Sequence, residues 1–94
     1  MHRSFEGVWI PKEIWLNENL NLVEKVLLAE IDSLDNGDGC LESNGYFAEF
    51  LGLSKNRISR LLSNLKKKGF ITTEIKYKKG SRQIEERIIK SKKI

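Results

Sequence analysis

Residues 51–71 read LGLSKNRISRLLSNLKKKGFI, and this order predicts a turn, a helix, a helix stop and the start of a strand. Gly52 suits the left-handed end of one helix, and Ser54 suits the N-cap of the next. Gly69 suits the end of this second helix in the same way. Four apolar residues recur at helical spacing and predict its buried face: Ile58, Leu61, Leu62 and Leu65.

The opposite face of the same helix carries cations and short polar groups. At about 100° per residue, four side chains fall within about 40° of the direction opposite Ile58. They are Asn56, Arg60, Ser63 and Lys67. A helix with one apolar and one cationic face can anchor in a core and lie in the major groove of a duplex.

The length and composition of the chain fit a single intracellular domain. We expect one domain over residues 1–94, with frayed ends at residues 1–6 and 90–94. The single cysteine, Cys40, cannot form an internal disulfide and favours a reducing compartment. Without an apolar signal core or a run of transmembrane length, the sequence predicts a cytoplasmic protein with no membrane partner.

Charge is divided unevenly between the two halves of the chain. Although the net charge is only +4, residues 1–50 contain three bases and ten acids, a balance of −7. Residues 51–94 contain 14 bases and three acids, a balance of +11. This polarity predicts an anionic partner for the second half, because its bases coincide with a helix and a hairpin suited to nucleic acid.

The N-terminal region is predicted to hold a short strand and a helical turn. Residues 7–10 are interpreted as the strand, and residues 11–16 as the turn that Pro11 opens. Trp9 and Trp15 are expected to be core or lid aromatics.

Two further helices are predicted before residue 52. Asn21 followed by Glu24 indicates a capping box for a helix that runs to about residue 34. Ser43 or Asn44 caps a shorter helix that ends at Leu51.

A β-hairpin is predicted after Gly69. Residues 70–78 and 83–89 have strand character, and residues 79–82 between them are turn-like. The order strand, helix, helix, helix and hairpin is that of a winged helix. We therefore predict an α+β fold, with a three-helix helix-turn-helix core, a C-terminal hairpin wing and a short N-terminal strand.

Residues 44–63 resemble the twenty-residue helix-turn-helix pattern of bacterial DNA-binding proteins. That pattern has a small residue at its fifth place, glycine at its ninth and apolar residues at five other places. The residues that match are Phe47, Ala48, Leu51, Gly52, Leu53, Ile58 and Leu61. The resemblance implies a DNA-binding unit that spans two helices.

A wider resemblance covers roughly residues 7–75. The run Trp9 to Leu16, the pair Glu24-Lys25 and residues 69–71 are similar to the N-terminal winged-helix module of DnaD-like replication initiators of Gram-positive phages and mobile elements. The resemblance implies origin or operator recognition, in replication or in gene control. In that family a helical domain usually follows the module, whereas this chain stops after the wing. We therefore expect an excised domain or a small stand-alone regulator.

Thirteen residues are candidates for contact with double-stranded DNA. The candidates for base or groove contact in the basic helix are Lys55, Asn56, Ser59, Arg60 and Ser63. The start of the preceding helix, where backbone amides can hold a phosphate, contributes Ser43, Asn44 and Tyr46. The backbone candidates at the helix end and on the wing are Lys67, Lys76, Lys78, Lys79 and Arg82. Solvation, helix capping and dipole complementarity are the competing explanations.

Catalytic and metal chemistry have little support in this sequence. His2 is the single histidine, so no Ser-His-Asp or Cys-His set can form around it. His2 and Cys40 are too few for a zinc site, and no P-loop motif is present. We predict a non-enzymatic protein with no catalytic residue, no cofactor and no metal ion.

Two other classes of function stay open. A winged helix can act as a protein-protein interaction module, and the acidic first half could bind a basic partner. Binding of RNA or single strands usually needs exposed aromatics, for which Tyr77 and Tyr46 are the candidates. A homodimer, replication proteins as partners, and the choice between replication and transcription also stay open.

Overall fold

The computed structural model describes residues 7–92 as four helices followed by an antiparallel hairpin. The helices are α1 (Lys12–Trp15), α2 (Leu22–Leu34), α3 (Asn44–Leu51) and α4 (Lys55–Lys67). The strands are β1 (Ile71–Tyr77) and β2 (Ile84–Ser91). This is the α+β layout of a winged helix, in which α3 and α4 form the helix-turn-helix and the hairpin forms the wing. The predicted fold class is confirmed.

Side-chain caps fix the starts of the three longer helices. Asn21 Oδ1 accepts from the Glu24 amide at 2.8 Å, and Glu24 Oε1 accepts from the Asn21 amide at 3.0 Å, so the predicted capping box is present. Ser43 Oγ caps α3 and Ser54 Oγ caps α4, each by accepting from the amide three residues later. Ser43, rather than Asn44, is therefore the N-cap of α3.

Two glycines end helices in the predicted left-handed conformation. Gly52 has a φ of 68° between α3 and α4, and Gly69 has a φ of 84° after α4. Residues with a β-carbon rarely adopt this left-handed conformation, whereas glycine adopts it readily. The connection at residues 52–54 is only three residues long, so α3 and α4 pack directly against each other.

A single apolar core joins the helices to the base of the wing. All four apolar residues predicted from the α4 pattern are buried: Ile58, Leu61, Leu62 and Leu65. Leu27, Ile31, Phe47 and Ile89, from α2, α3 and β2, are fully buried beside them. The basic helix is thus held by its apolar stripe, and its remaining surface faces outward.

Only the base of the wing belongs to this core. The strands pair from Ile71 opposite Ser91 to Tyr77 opposite Ile84, with an irregularity between Lys76 and Tyr77. Ile71, Ile88 and Ile89 are buried at the base. Farther out, the apolar side chains are exposed: Ile75, Tyr77 and Ile84.

The prediction of an N-terminal strand is wrong. Residues 7–10 form no strand, and β2 is paired instead by the connection between α2 and α3. The Cys40 amide donates to Ile89 O at 2.7 Å, and the Ile89 amide donates to Cys40 O at 2.9 Å. This pairing crosses many residues, and no local sequence signal reveals it.

The prediction of two core or lid tryptophans is also wrong. Trp9 is 84% exposed and Trp15 is 50% exposed. Helix α1 is a single short turn that buries only Ile14, so it brings no larger side chain into the core.

The predicted fraying of residues 90–94 is wrong for Lys90 and Ser91, which complete β2. Ser91 Oγ donates to Asp32 Oδ1 at 2.8 Å, and the Lys92 amide donates to Phe70 O at 2.8 Å. These long-range bonds hold residues 90–92 in place, although their lysine-rich composition is typical of a frayed terminus. The predicted fraying of residues 1–6, 93 and 94 lies outside the described residues.

Candidate nucleic-acid interface

The polar surface of α4 divides into three strips that run along the helix. The outward strip, opposite the core, consists of exposed side chains: Asn56, Arg60 and Lys67. The wing-side strip lines a groove beside the hairpin and consists of Ser59, Ser63 and Lys66. The third strip lies on the side of α4 away from the wing and includes Arg57 and Asn64. These two residues line a shallow pocket with Arg60. Every one of these side chains is exposed, as the basic-helix prediction requires.

The groove beside the wing-side strip has a volume of ≈ 170 Å³. It lies between α4, the start of α3 and both strands of the wing. Its polar lining consists of Asn44, Ser59, Ser63, Lys66, Thr73 and Arg87, and Leu62 is its apolar member. None of these residues is acidic, so the groove offers hydrogen-bond donors and positive charge.

Arg87 joins the wing to the start of α3. Its Nη1 donates to Asn44 Oδ1 at 2.6 Å, and its Nη2 donates to Glu42 O at 2.9 Å. Burial lowers the pKa of this guanidinium from its ordinary value. A guanidinium has five N–H donors, so these two bonds leave three for other partners.

The sequence reasoning missed Arg87, because two adjacent apolar residues, Ile88 and Ile89, leave the inward face of β2 undecided from sequence alone. Arg87 is two residues from the buried Ile89, so strand alternation places both side chains on one face of β2. A cation at an inward-facing strand position is unusual and indicates a specific partner.

Lys55 lies across the start of α3. Its Cε is 3.5 Å and its Nζ 3.9 Å from the place that a β-carbon on Gly45 would occupy, and Ser43 Oγ is also 3.5 Å from that place. The structure therefore brings Lys55 and Ser43 together beside the start of α3, where the helix dipole also favours an anion. The side chain of Asn44 lies instead at the groove, where it is bonded to Arg87.

The structure contradicts the placement of Tyr46 on this surface. Its side chain is only 4% exposed, and its hydroxyl donates to Glu30 Oε2 at 2.7 Å. Its amide donates to Ser43 Oγ at 3.2 Å. Tyr46 belongs to the core, where its ring stacks on Phe50, because α3 turns this position inward. It is neither a phosphate contact nor a stacking platform for bases.

The three consecutive lysines at the end of α4 differ in their surroundings. Lys66 lines the groove, and Lys67 is exposed on the outward strip. Lys68 instead pairs with groups of the protein itself, with its ammonium 2.9 Å from Glu24 Oε1 and 2.8 Å from Asn19 O. Lys67 is thus the member of the three that faces directly away from the core, as predicted.

The wing carries exposed cations at all four predicted positions: Lys76, Lys78, Lys79 and Arg82. Lys76 Nζ lies 3.7 Å from Glu86 Oε1, a distance that leaves the pair loose. At about 3.3 Å per residue, Tyr77 lies about 13 Å farther along the strand than Thr73 of the groove. The predicted residues therefore cover an extended cationic surface rather than a single pocket.

The described residues contain neither a metal-binding cluster nor a membrane-spanning helix. No three His, Cys, Asp or Glu side chains within residues 7–92 are grouped so that they could hold a metal ion. In the same part of the chain, no helix has the length and apolar character needed to cross a bilayer.

Comparison with known proteins identifies the helical part of the chain. A family model described as a helix-turn-helix domain matches residues 18–71, more than half of the sequence, from just before α2 to the first residue of β1. No curated protein and no solved structure gives a significant match. A helix-turn-helix domain suggests DNA binding, and its family is typically non-enzymatic. The chain belongs to the helix-turn-helix domain family.

Proposed function

We propose that this chain acts as a single domain that binds double-stranded DNA, with α4 in the major groove and the wing on the phosphate backbone. The observation that carries the proposal is the exposed, cationic outward strip of α4 next to a basic wing. Helix-turn-helix proteins set the first residues of their second helix against base edges. Here those residues are Lys55 and Asn56, and both are exposed.

Base recognition is assigned to side chains on α4. Arg60 can donate two bonds to O6 and N7 of guanine, and Asn56 can pair with N6 and N7 of adenine. The hydroxyls of Ser59 and Ser63 can reach base edges or sugars from the wing-side strip.

Backbone contact is assigned to the ends of the surface. Lys67, together with Lys76, Lys78, Lys79 and Arg82 on the wing, supplies cations for phosphates. The start of α3 adds Ser43 beside Lys55 and Asn44 beside Arg87. Such contacts set the register of the protein on the duplex without reading its sequence.

A fluorescence-anisotropy titration with duplex DNA at several salt concentrations tests the proposal. If about six cations meet phosphates, log K should fall with log salt with a slope near −5. A chain that shows no salt-dependent duplex binding would overturn the proposal. A single-stranded competitor that displaces the duplex at equal concentration would favour the single-strand alternative.

The biological role that we propose is replication initiation or transcription regulation in a phage or mobile element. It is supported by the resemblance to DnaD-like initiators and lies beyond the family match. Selection from a random duplex library separates the possibilities. A palindromic site would indicate a homodimer bound to an operator. Direct repeats would favour a cytoplasmic protein that binds a replication origin together with replication proteins.

A protein-protein interaction module is the second candidate function. It is favoured by exposed apolar side chains near the N-terminus, since Trp9 is 84% exposed and Leu16 and Leu22 are each 61% exposed. A defined replication protein that binds the chain at high salt, in the absence of measurable DNA affinity, would support this candidate over the first.

A further inference from the structure

We propose that the groove between α4 and the wing seats one phosphate of the DNA backbone, with Arg87 as its central cation. The inference rests on the proposed function and adds a residue and a site that the sequence pattern did not indicate. It concerns the wing-side strip of α4, whereas base recognition is assigned mainly to the outward strip.

The donor set of the groove suits an oxyanion. Lys66 and Arg87 supply positive charge, and Ser59, Ser63 and Thr73 supply hydroxyl groups. No acidic side chain lines the groove to repel an anion. Its volume of ≈ 170 Å³ leaves room for a phosphate group.

The way in which Arg87 is held leaves its charge available. Its two bonds go to neutral oxygens, Asn44 Oδ1 at 2.6 Å and the Glu42 carbonyl at 2.9 Å. Among residues 7–92, no carboxylate forms an ion pair with it. Neutral acceptors orient the guanidinium without cancelling its charge, and a partly buried, unpaired cation is costly until an anion arrives.

Arginine is also the cation best suited to this ligand. Its planar fork can present two parallel N–H donors to two phosphate oxygens. Because Arg87 is bonded to the start of α3 and the groove is lined by α4, a phosphate bound here would contact three elements at once. That contact would fix the wing relative to α4 on the DNA.

The test compares salt slopes of the full chain on a duplex of random sequence. Arg87→Gln should make the slope of log K against log salt less steep by about 0.9, the value for one phosphate. Lys66→Gln removes the second cation from the same phosphate, so it should weaken binding and shift the slope in the same direction by no more than that amount. Lys90→Gln is the matched control, since it removes the same charge from the opposite face of β2, and it should leave the slope unchanged. The affinity that each groove variant loses should be equal on selected and random duplexes, because a phosphate contact carries no sequence information.

The outcomes separate this inference from the proposed function. If the wild-type chain shows no salt-dependent binding, both proposals fail. If the wild-type chain binds and both groove variants keep its slope and affinity, only the phosphate seat is overturned. If circular dichroism shows that Arg87→Gln is unfolded, the exposed Lys66→Gln decides the matter.

An NMR titration with inorganic phosphate gives an independent measurement. The Arg87 side-chain Nε–H resonance should shift on addition of phosphate, and the amide resonances of Ser59 and Ser63 should shift with it. The shifts of both amides should disappear in Arg87→Gln. Phosphate binding in the groove combined with an unchanged DNA slope in Arg87→Gln would assign the groove to a free anion and overturn the proposal.

Discussion

The ammonium of Lys68 lies 2.9 Å from Oε1 and 3.0 Å from Oε2 of Glu24, and this contact ties the end of α4 to the start of α2. The carboxylate is 1% exposed, and its Oε1 also accepts from the Asn21 amide in the capping box. The buried carboxylate of Glu24 thus caps the start of α2 and also holds Lys68 at the end of α4.

Lys68→Met should destabilise the protein by about 2–3 kcal/mol, because it leaves the Glu24 carboxylate buried without its cation. The figure is set below the ~3–5 kcal/mol typical of fully buried pairs, since the Lys68 side chain is 39% exposed. Urea denaturation measures the change. The neighbouring exposed Lys67→Met is the control and should stay within about 0.5 kcal/mol. Equal effects of the two substitutions would show that the pair contributes nothing.

Gly52→Ala and Gly45→Ala should change stability in opposite directions. At Gly52 no atom lies within 4 Å of an added β-carbon, so the expected loss of about 1 kcal/mol comes from the backbone φ of 68° alone. At Gly45 the backbone is helical and the nearest atoms are 3.5 Å away, so alanine should add about 0.5–1 kcal/mol. Thermal unfolding of both variants checks this. A stabilised Gly52→Ala variant would contradict the left-handed helix end.

Arg60→Ala should weaken binding to a selected duplex by about 1–3 kcal/mol if the guanidinium reads a base. On a random duplex the loss should be smaller. Lys12→Ala, which removes an exposed cation from α1, is the control and should change neither affinity. An equal loss on both duplexes would instead identify Arg60 as a phosphate contact.

Replacing Lys78, Lys79 and Arg82 together by glutamine should flatten the salt dependence of duplex binding by about 2–3 units of slope. All three side chains are exposed at the wing tip, so the free energy of unfolding should change by less than about 0.5 kcal/mol. Anisotropy titrations at several salt concentrations give the slope. An unaltered slope would place the tip away from the DNA.

Cys40 should make the protein less stable at alkaline pH. Burial raises the pKa of this thiol above its ordinary value of 9.0, so the folded chain holds the proton to higher pH than the unfolded chain does. The resulting stability is present below the ordinary pKa and is lost as the pH rises through it toward the folded pKa. Urea unfolding at about pH 7 and about pH 10 measures the free energy of unfolding of the wild type and of Cys40→Ala. The stability advantage of the wild type over the variant should be smaller at the higher pH. Parallel pH curves would contradict this prediction.

The local signals of the sequence predicted the helical part of the fold accurately. The Asn21 capping box, the Ser54 N-cap and the left-handed Gly52 each depend on residues a few positions apart, so a single chain reveals them. The apolar stripe of α4 likewise fixed which side of that helix would be exposed.

Most of the errors concern long-range contacts. Cys40 pairs with Ile89, and Arg87 bonds to Asn44, across more than forty residues, and no local pattern encodes either partner. The same reason explains Tyr46, whose position at the start of α3 suggested a surface role. Its actual partner is Glu30 in α2, which only the packed structure brings into contact.

The wing is fixed to the rest of the protein at its base only. Its base is held by the Cys40 bridge and by the bond from Lys92 to Phe70, whereas its outer half has its apolar side chains in water. A pull on the tip by a bound polyanion would therefore act as a torque at the base, and Arg87 would pass that torque to the first turn of α3.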